Sequence, residues 1–548
     1  MYSDKLNVNI LTSLMSAHGV KTVVVCPGSR NAPLAHNFAS CPKMRCVSVT
    51  DERSAGFYAI GLALASQRPV AVCVTSGTAL LNLAPAVAEA FYQNVPLLVI
   101  SADRPLAMIG QMQGQTLPQT GAFGNMAKYS VSLPEPDNEV EHWHCNRIVN
   151  EALAMLTSHG AGPVHINVPV SEPLYNFTIA ELPCERKINY VEPKGCNVEV
   201  HNIVAAFAKA ERPMIVVGQL PRNEFQEVAD IMRQLSDKAV VISEKLSDDS
   251  SLPLPSPDVM MAKVECCDGY LPDAILYVGG HLLSKPMLGF LQKSKPERCI
   301  VVSRSEGISD VLMNATDVVV ADVSTVLREV ANVCKNIPAG EWLHRWQKLK
   351  AECLKNIQSY EPAYSQTAAI KEFFSAIKGK PFDVHVGNSM SVRIAQLFSD
   401  RYLFVNRGVS GIEGSLSTAA GYSLMSPVPV ACIIGDLSFF YDANALWHSG
   451  LCGNFRILLV NNGCGGIFRR FRNLEDSPAC DSYVMARHNT TAGGVCMQNG
   501  VAYRRVTYAG ELADGISWLV DERCPSPMLL EVMTDDEDDQ REYENILK

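Results

Sequence analysis

The feature that most constrains this chain is a short apolar, β-branched run that recurs along it, each time about one strand long. The runs occupy residues 23–25, 70–74, 97–100, 214–217, 240–242, 275–278, 300–302, 318–320, 403–405, 430–434, 457–460 and 528–530. Their hydrophobicity is continuous, not alternating, so both faces of each strand are to be buried. Helix-compatible sequence separates one run from the next. Parallel strands joined by crossover helices satisfy both conditions. The expected class is α/β, with doubly wound parallel sheets repeated along the chain.

The chain has 548 residues, which at roughly 100–200 residues per domain allows about three to four domains. Polar, proline-containing sequence at 181–194 separates a first block from a second. Near 340–365 the chain turns helical and charged, then reaches Glu361-Pro362. Domains are therefore expected at 1–180, 190–340 and 360–548. The stretches VCVTSGTALLNLAPAVAEAFYQNVPLLVISAD and CIIGDLSFFYDANALWHSGLCGNFRILLVNN both read strand, glycine turn, helix, strand. This weak repeat suggests two copies of one unit flanking a different middle domain.

Several functions are disfavoured. No run of 18 uncharged apolar residues occurs, so no membrane span is expected. The N-terminus carries Asp4 and no basic lead into an apolar segment; it reads as a first helix. The 18 cysteines include no C-x-x-C; Cys266-Cys267 and Cys41/Cys46 have no zinc spacing. Reduced, mostly buried thiols in the cytoplasm are expected. A net charge of −10 argues against nucleic acid. The acidic run at 535–539 reads as a solvated tail.

The chemistry-bearing motif lies in the third block. Ile433-Ile434 ends a strand and leads into Gly435-Asp436-Leu437-Ser438; 26 positions after Asp436, at the next strand's end, comes Asn462 in Asn461-Asn462-Gly463. Strand ends of an open parallel sheet present loops to ligands. A carboxylate and an amide oxygen there suit Mg²⁺ beside phosphates. Either end alone is better read as a helix cap or a turn. Together, at this separation, they favour the metal reading.

Gly-Asp-x-Ser followed by Asn-Asn at this spacing resembles the cofactor motif of thiamine diphosphate enzymes such as pyruvate decarboxylase and acetohydroxyacid synthase. Leu437 stands where that family usually has glycine. This departure, with NNGCGGIF at 461–468, resembles the 2-succinyl-5-enolpyruvyl-6-hydroxy-3-cyclohexene-1-carboxylate (SEPHCHC) synthase family. The likeness covers nearly the whole chain: CPGSR (26–30), TDERSAGFYAIGLA (50–63), VTSGTALLNLAPAVAEA (74–90), SADRP (101–105), GPVHINVPVSEPLY (162–175), VGNSMSVR (386–393) and NRGVSGIEGSLSTAAG (406–421). The middle block matches only generically.

The resemblance implies pyrimidine-binding, central and diphosphate-binding domains in that order. It implies thiamine diphosphate with Mg²⁺ or Mn²⁺, held by Asp436, Asn462 and the Cys464 carbonyl, with Leu437 and Ser438 beside the cofactor. Glu52 would hydrogen-bond the cofactor pyrimidine and relay the activating proton. By its position alone, Glu52 would only serve a helix N-terminus. Ile412 would wedge the cofactor's rings into a V. The two halves of a site would come from different subunits, as a homodimer or a dimer of dimers.

The implied reaction decarboxylates 2-oxoglutarate and adds the resulting succinic semialdehyde carbanion to isochorismate, in menaquinone biosynthesis. Both substrates are dianions and need fixed cations. Arg393 and Arg407 would grip carboxylates near the cofactor, and Arg30, Arg104 and Lys285 would face isochorismate; Ser29, Gln115 and Ser389 are further substrate-binding candidates. Ile467, Phe468 and Phe471 would form an apolar wall. Pro286 stands where the family often has a second basic residue. The rivals are an acetohydroxyacid synthase-like carboligase, a 2-oxoacid decarboxylase, and a non-catalytic nucleotide-binding module.

Overall fold

A computed structural model describes residues 1–190, 198–248, 252, 254–264, 267–304, 307–334, 340–521 and 523–548. The end of the 181–194 stretch, part of the stretch before 340, and Cys266 lie outside these residues. Three sheets follow one another. The first holds β1 (Thr22–Val25), β2 (Arg45–Ser48), β3 (Val70–Val74), β4 (Leu97–Asp103), β5 (Tyr129–Ser132) and β6 (Val164–Pro169), in the order β2-β1-β3-β4-β6-β5. The second holds β7 (Pro213–Val217), β8 (Val240–Ser243), β9 (Ala274–Val278), β10 (Arg298–Ser303) and β11 (Asp317–Val320), in the order β11-β10-β9-β7-β8. The third holds β12 (Asp383–Val386), β13 (Leu403–Phe404), β14 (Val430–Gly435), β15 (Phe455–Asn461), β16 (Ala502–Val506) and β17 (Met528–Met533), in the order β13-β12-β14-β15-β17-β16. All strand pairings in these sheets are parallel.

The double winding can be read from one strand. Val70, Val72 and Val74 face a core shared with Phe57, Ile60 and Val87, from the helices Glu52–Ser66 and Ala84–Tyr92. Ala71 and Cys73 face the opposite core, with Leu11, Leu14 and Ile148 from Leu6–His18 and Glu139–Met155. Strand side chains alternate between faces, so both must be apolar when helices cover both.

The first and third sheets share one strand order, and the two similar stretches form corresponding units, β3 to β4 and β14 to β15. The two units meet face to face. Val72 and Cys432 belong to one core, with the helices Glu52–Ser66 and Ser415–Ser423 between the sheets. Those helices approach backbone to backbone. A Cβ on Gly61 would lie 2.1 Å from the Thr418 carbonyl oxygen, and one on Gly421 would lie 2.4 Å from that of Tyr58. In an exposed helix Gly→Ala gains about 1 kcal/mol. Here the clash is with rigid backbone, so overpacking dominates. Gly61→Ala is expected to cost about 1–3 kcal/mol, seen as a lower melting temperature in calorimetry. An unchanged melting temperature would mean that the helices separate freely.

Five strands had no apolar run to announce them: β2, β5, β6, β12 and β16. Three of these, β2, β5 and β16, are sheet edges, with mostly half-buried or exposed side chains. The other two are central but carry buried polar residues: His165 and Asn167 in β6, Asp383 and His385 in β12. The β6 pair is satisfied locally, since Ser101 Oγ lies 2.8 Å from His165 Nε2 and donates to Asn167 Oδ1 at 2.7 Å.

The acidic 535–539 run is not a solvated tail. Asp535 caps the helix Asp536–Leu547, accepting from Glu537 N and Asp538 N, and Asp536 and Asp539 are buried. Cations offset the charge: Arg469 and Arg487 both pair with Asp536. Among the described residues, no helix is long and apolar enough to cross a membrane, and the cysteines are free thiols, most of them buried.

Candidate active site

The carboxyl ends of β12, β14 and β15 lie side by side, because β12 and β15 both pair with β14. Each ends in a turn bearing a candidate residue. After β14, Asp436 opens the short helix Asp436–Tyr441. Its Oδ1 accepts from Leu437 N at 2.7 Å; its Oδ2 accepts from Gly463 N at 2.8 Å and Cys464 N at 3.2 Å. Asn462 Oδ1 accepts from the same Cys464 amide at 3.3 Å. The two expected oxygen ligands therefore converge on one turn. Gly463 makes the turn possible with φ of +73°, where a Cβ would also lie 2.6 Å from the His488 carbonyl oxygen. The Cys464 carbonyl accepts from Gly466 N at 2.9 Å, which leaves a second lone pair.

This donor set fits a divalent cation. Burial raises the Asp436 pKa, and the amides and His488, whose Nε2 is 3.5 Å from Oδ2, pull it back only in part. A buried carboxylate in that position gains from a hard cation. The acidic C-terminal helix contributes as well. Asp539 accepts from Asn462 Nδ2 at 3.0 Å, which leaves the amide oxygen facing the Cys464 N–H that Asp436 also bonds. Burial pushes Asp539 up to about 7, against donors from Gln366 N, Thr534 Oγ1 and Asn462. Asp539 escaped the sequence analysis because a five-residue acidic run looks the same whether solvated or capping a helix. Among the described residues, no three His, Cys, Asp or Glu side chains group to hold a metal; the set here uses one carboxylate, one amide and one carbonyl.

Beside this turn, Leu437 and Phe468 both approach Gly465, whose added Cβ would lie 3.5 and 3.1 Å from them. Ile467 and Phe468 are half-buried, and Phe471 is 54% exposed. Ser438 is buried. At the end of β12, Asn388 Nδ2 donates to Asn406 O and Gly411 O, both at 2.7 Å, and Asn388 Oδ1 accepts from Arg407 Nη1 at 3.1 Å. One asparagine thus ties Arg407 to the turn before Ile412, which is 41% exposed. From the first domain, buried Glu89 accepts from Gly408 N at 2.7 Å and Val409 N at 2.8 Å. Glu89 was missed, although a glutamate on the buried face of the apolar helix Ala84–Tyr92 is itself a signal.

Ser389 takes φ of +74° just before the helix Met390–Phe398, and Arg393 is buried one turn on. Arg393 Nη1 lies 3.4 Å from Asp258 Oδ2. The Nε atoms of Arg393 and Arg407 are buried and make no hydrogen bond. Burial lowers the Arg407 pKa; Glu244 opposes this, Arg393 adds to it, and Glu89 opposes it.

In the first domain, Arg30 is buried and donates to Glu172 Oε1 at 3.1 Å; Arg104 Nη1 lies 3.9 Å from the same oxygen. Ser29 is exposed beside Arg30. The Gln115 backbone packs against Gly77, leaving 3.2 Å to an added Cβ. Lys285 is exposed at the start of the helix Lys285–Ser294, whose N-cap Ser284 accepts from Met287 N at 3.2 Å. Pro286 fits that first turn, where no N–H partner exists.

Glu52 is half-buried at the start of its helix. Asp51 does the capping, accepting from Ser54 N at 2.9 Å, which leaves the Glu52 carboxyl without that duty. Glu52 Oε2 accepts from Asn82 Nδ2 at 3.3 Å. Among the described residues, no hydrogen bond joins Glu52 to the Asp436–Asn462 turn. A wide cavity of 570 Å³ lined by Leu6, His142, Trp143 and Glu185 lies away from all these groups.

Three parallel α/β sheets, two of them alike, are consistent with the fold of thiamine diphosphate enzymes, and the similar proteins show that class. The model for the thiamine pyrophosphate enzyme N-terminal TPP binding domain matches residues 8–125, and that for the middle domain of thiamine pyrophosphate matches 188–375. The SEPHCHC synthase of Phocaeicola vulgatus is 42% identical, covering 100% of this chain and 99% of its own. That of Bacteroides thetaiotaomicron is 42% identical over 99% and 98%, and that of Desulfotalea psychrophila 37% over 97% and 98%. The chain belongs to the 2-succinyl-5-enolpyruvyl-6-hydroxy-3-cyclohexene-1-carboxylate synthase family.

Proposed function

We propose that this protein decarboxylates 2-oxoglutarate and joins the remaining four-carbon unit to isochorismate, releasing CO₂, as the SEPHCHC synthase of menaquinone biosynthesis. Family membership supports the reaction. The observation that supports the donor substrate is a pair of cations, buried Arg393 and half-buried Arg407, each with a buried, orphaned Nε. Two such cations beside the cofactor turns favour a dicarboxylate over a small neutral side chain. An acetohydroxyacid synthase-like enzyme has no use for them.

When bound, thiamine diphosphate supplies the nucleophilic carbon that accepts the 2-oxoacid and stabilises the negative charge left by CO₂. The residues here do the rest. Asp436, Asn462 and the Cys464 carbonyl hold Mg²⁺ or Mn²⁺, with Leu437 and Ser438 against the diphosphate. Glu52 would hold a proton at the cofactor pyrimidine, and Ile412 would support the cofactor rings. Ser389, Arg393 and Arg407 orient 2-oxoglutarate. Ser29, Arg30, Arg104, Gln115 and Lys285 orient isochorismate, and Ile467, Phe468 and Phe471 exclude water. The segments 1–180, 190–340 and 360–548 act as pyrimidine-binding, central and diphosphate-binding domains. Glu52 and the Asp436 turn of one site come from two chains, in a cytoplasmic homodimer or dimer of dimers.

Arg393→Ala tests the donor assignment. Losing one side of a desolvated charge pair costs on the order of 2–5 kcal/mol, and Arg393→Lys recovers only part, because an ammonium lacks the planar fork. In steady-state kinetics, activity with 2-oxoglutarate is expected to fall steeply and residual turnover of pyruvate less. Equal proportional losses would place Arg393 in support of the fold or cofactor instead.

A further inference from the structure

Between the donor-side arginines and the acceptor-side lysine lies a carboxylate that the reaction does not use. Asp258 is buried in the helix Pro257–Lys263 of the middle domain. Three groups from three elements close on it. Ser284 Oγ donates to Oδ1 at 2.5 Å; Oδ2 accepts from Tyr543 OH at 3.2 Å and faces Arg393 Nη1 at 3.4 Å. Ser284 is the N-cap of the helix that begins with Lys285. Its backbone is held a second time, because buried Glu244 accepts from Leu283 N at 2.7 Å and Ser284 N at 2.8 Å. The segment 283–285 is thus fixed by two carboxylates, and one of them also fixes Arg393.

We infer that Asp258 is a positioning residue that sets Arg393 and Lys285 relative to each other, and so registers the 2-oxoglutarate subsite against the isochorismate subsite. This rests on the function proposed above. Each oxygen has a separate task. Oδ2 holds a guanidinium that would otherwise swing, and a charged partner is what Arg393 requires. Oδ1 holds the serine that starts the Lys285 helix, for which any acceptor oxygen suffices. A lever of this kind has separable halves.

The test is a KM-against-kcat comparison on the full-length holoenzyme. Asp258→Asn keeps an acceptor oxygen for Ser284 but loses the charge facing Arg393. Its KM for 2-oxoglutarate is expected to rise by about tenfold or more, the scale of a lost charge-assisted hydrogen bond, with little change for isochorismate. Ser284→Ala is expected to do the reverse, and Asp258→Ala to raise both KM values with kcat changed less. Melting temperatures of all three separate misfolding from misplacement. A lowered KM for 2-oxoglutarate in Asp258→Asn would overturn the inference, since Asp258 would then compete with substrate for Arg393. Wild-type KM values in all three variants, or losses only in kcat and melting temperature, would overturn it too. If the wild-type enzyme failed to turn over the two substrates, it is the proposed function that would fall.

Discussion

Asp436→Ala is expected to abolish Mg²⁺-dependent binding of thiamine diphosphate. Asp436 is the only anionic member of the proposed ligand set. Partners that merely orient a ligand are worth about 10–100-fold in metal affinity, so losing the carboxylate itself should cost at least that. Alanine also strands the amide of Leu437 and leaves those of Gly463 and Cys464 to Asn461 Oδ1 and Asn462 Oδ1 alone. The turn could therefore shift for reasons unrelated to metal. Asp436→Asn narrows this: it loses the charge but keeps one acceptor oxygen, enough for the Leu437 amide or for the Gly463–Cys464 pair. Both variants should show no cofactor binding by calorimetry at metal concentrations that saturate the wild type. Unchanged affinity in either would remove Asp436 from the metal site.

Glu52→Gln is expected to separate binding from activation. Glutamine keeps the size and can still meet Asn82, but cannot share an acidic proton. Cofactor should bind, while exchange of its C2 proton, followed by NMR, should slow by about 10²–10⁴-fold, the usual worth of acid–base catalysis. Asp51 remains to cap the helix, so the fold should be little affected. Exchange at the wild-type rate would show that some other group carries the relay.

The sheets were legible where burial on both faces forces continuous hydrophobicity, as in β3, β4, β14 and β15. They were illegible where an edge strand such as β16 needs only one apolar face, or where a central strand such as β6 carries His165 and Asn167 in a satisfied polar network. The meeting of Asp436 and Asn462 was legible because both residues sit at strand ends, a fixed distance apart in sequence. The residues that hold these groups in place were not. Glu89 reaches Gly408 across 319 positions, Asp539 reaches Asn462 across 77, and Asp258 reaches Arg393 across 135. Such contacts depend on tertiary packing, which leaves no local spacing to read. The acidic 535–539 run shows the same point, since its partners Arg469 and Arg487 lie far back in the chain.

The most direct test of the central claim is a single carbon balance on the wild-type protein. Given 2-oxoglutarate labelled in its C1 carboxyl, with isochorismate, thiamine diphosphate and Mg²⁺, it should release one labelled CO₂ for each isochorismate consumed. Omitting the cofactor or the metal should stop both, and no free succinic semialdehyde should accumulate while isochorismate lasts. Release of CO₂ with accumulating succinic semialdehyde and untouched isochorismate would instead define a decarboxylase and contradict the assignment.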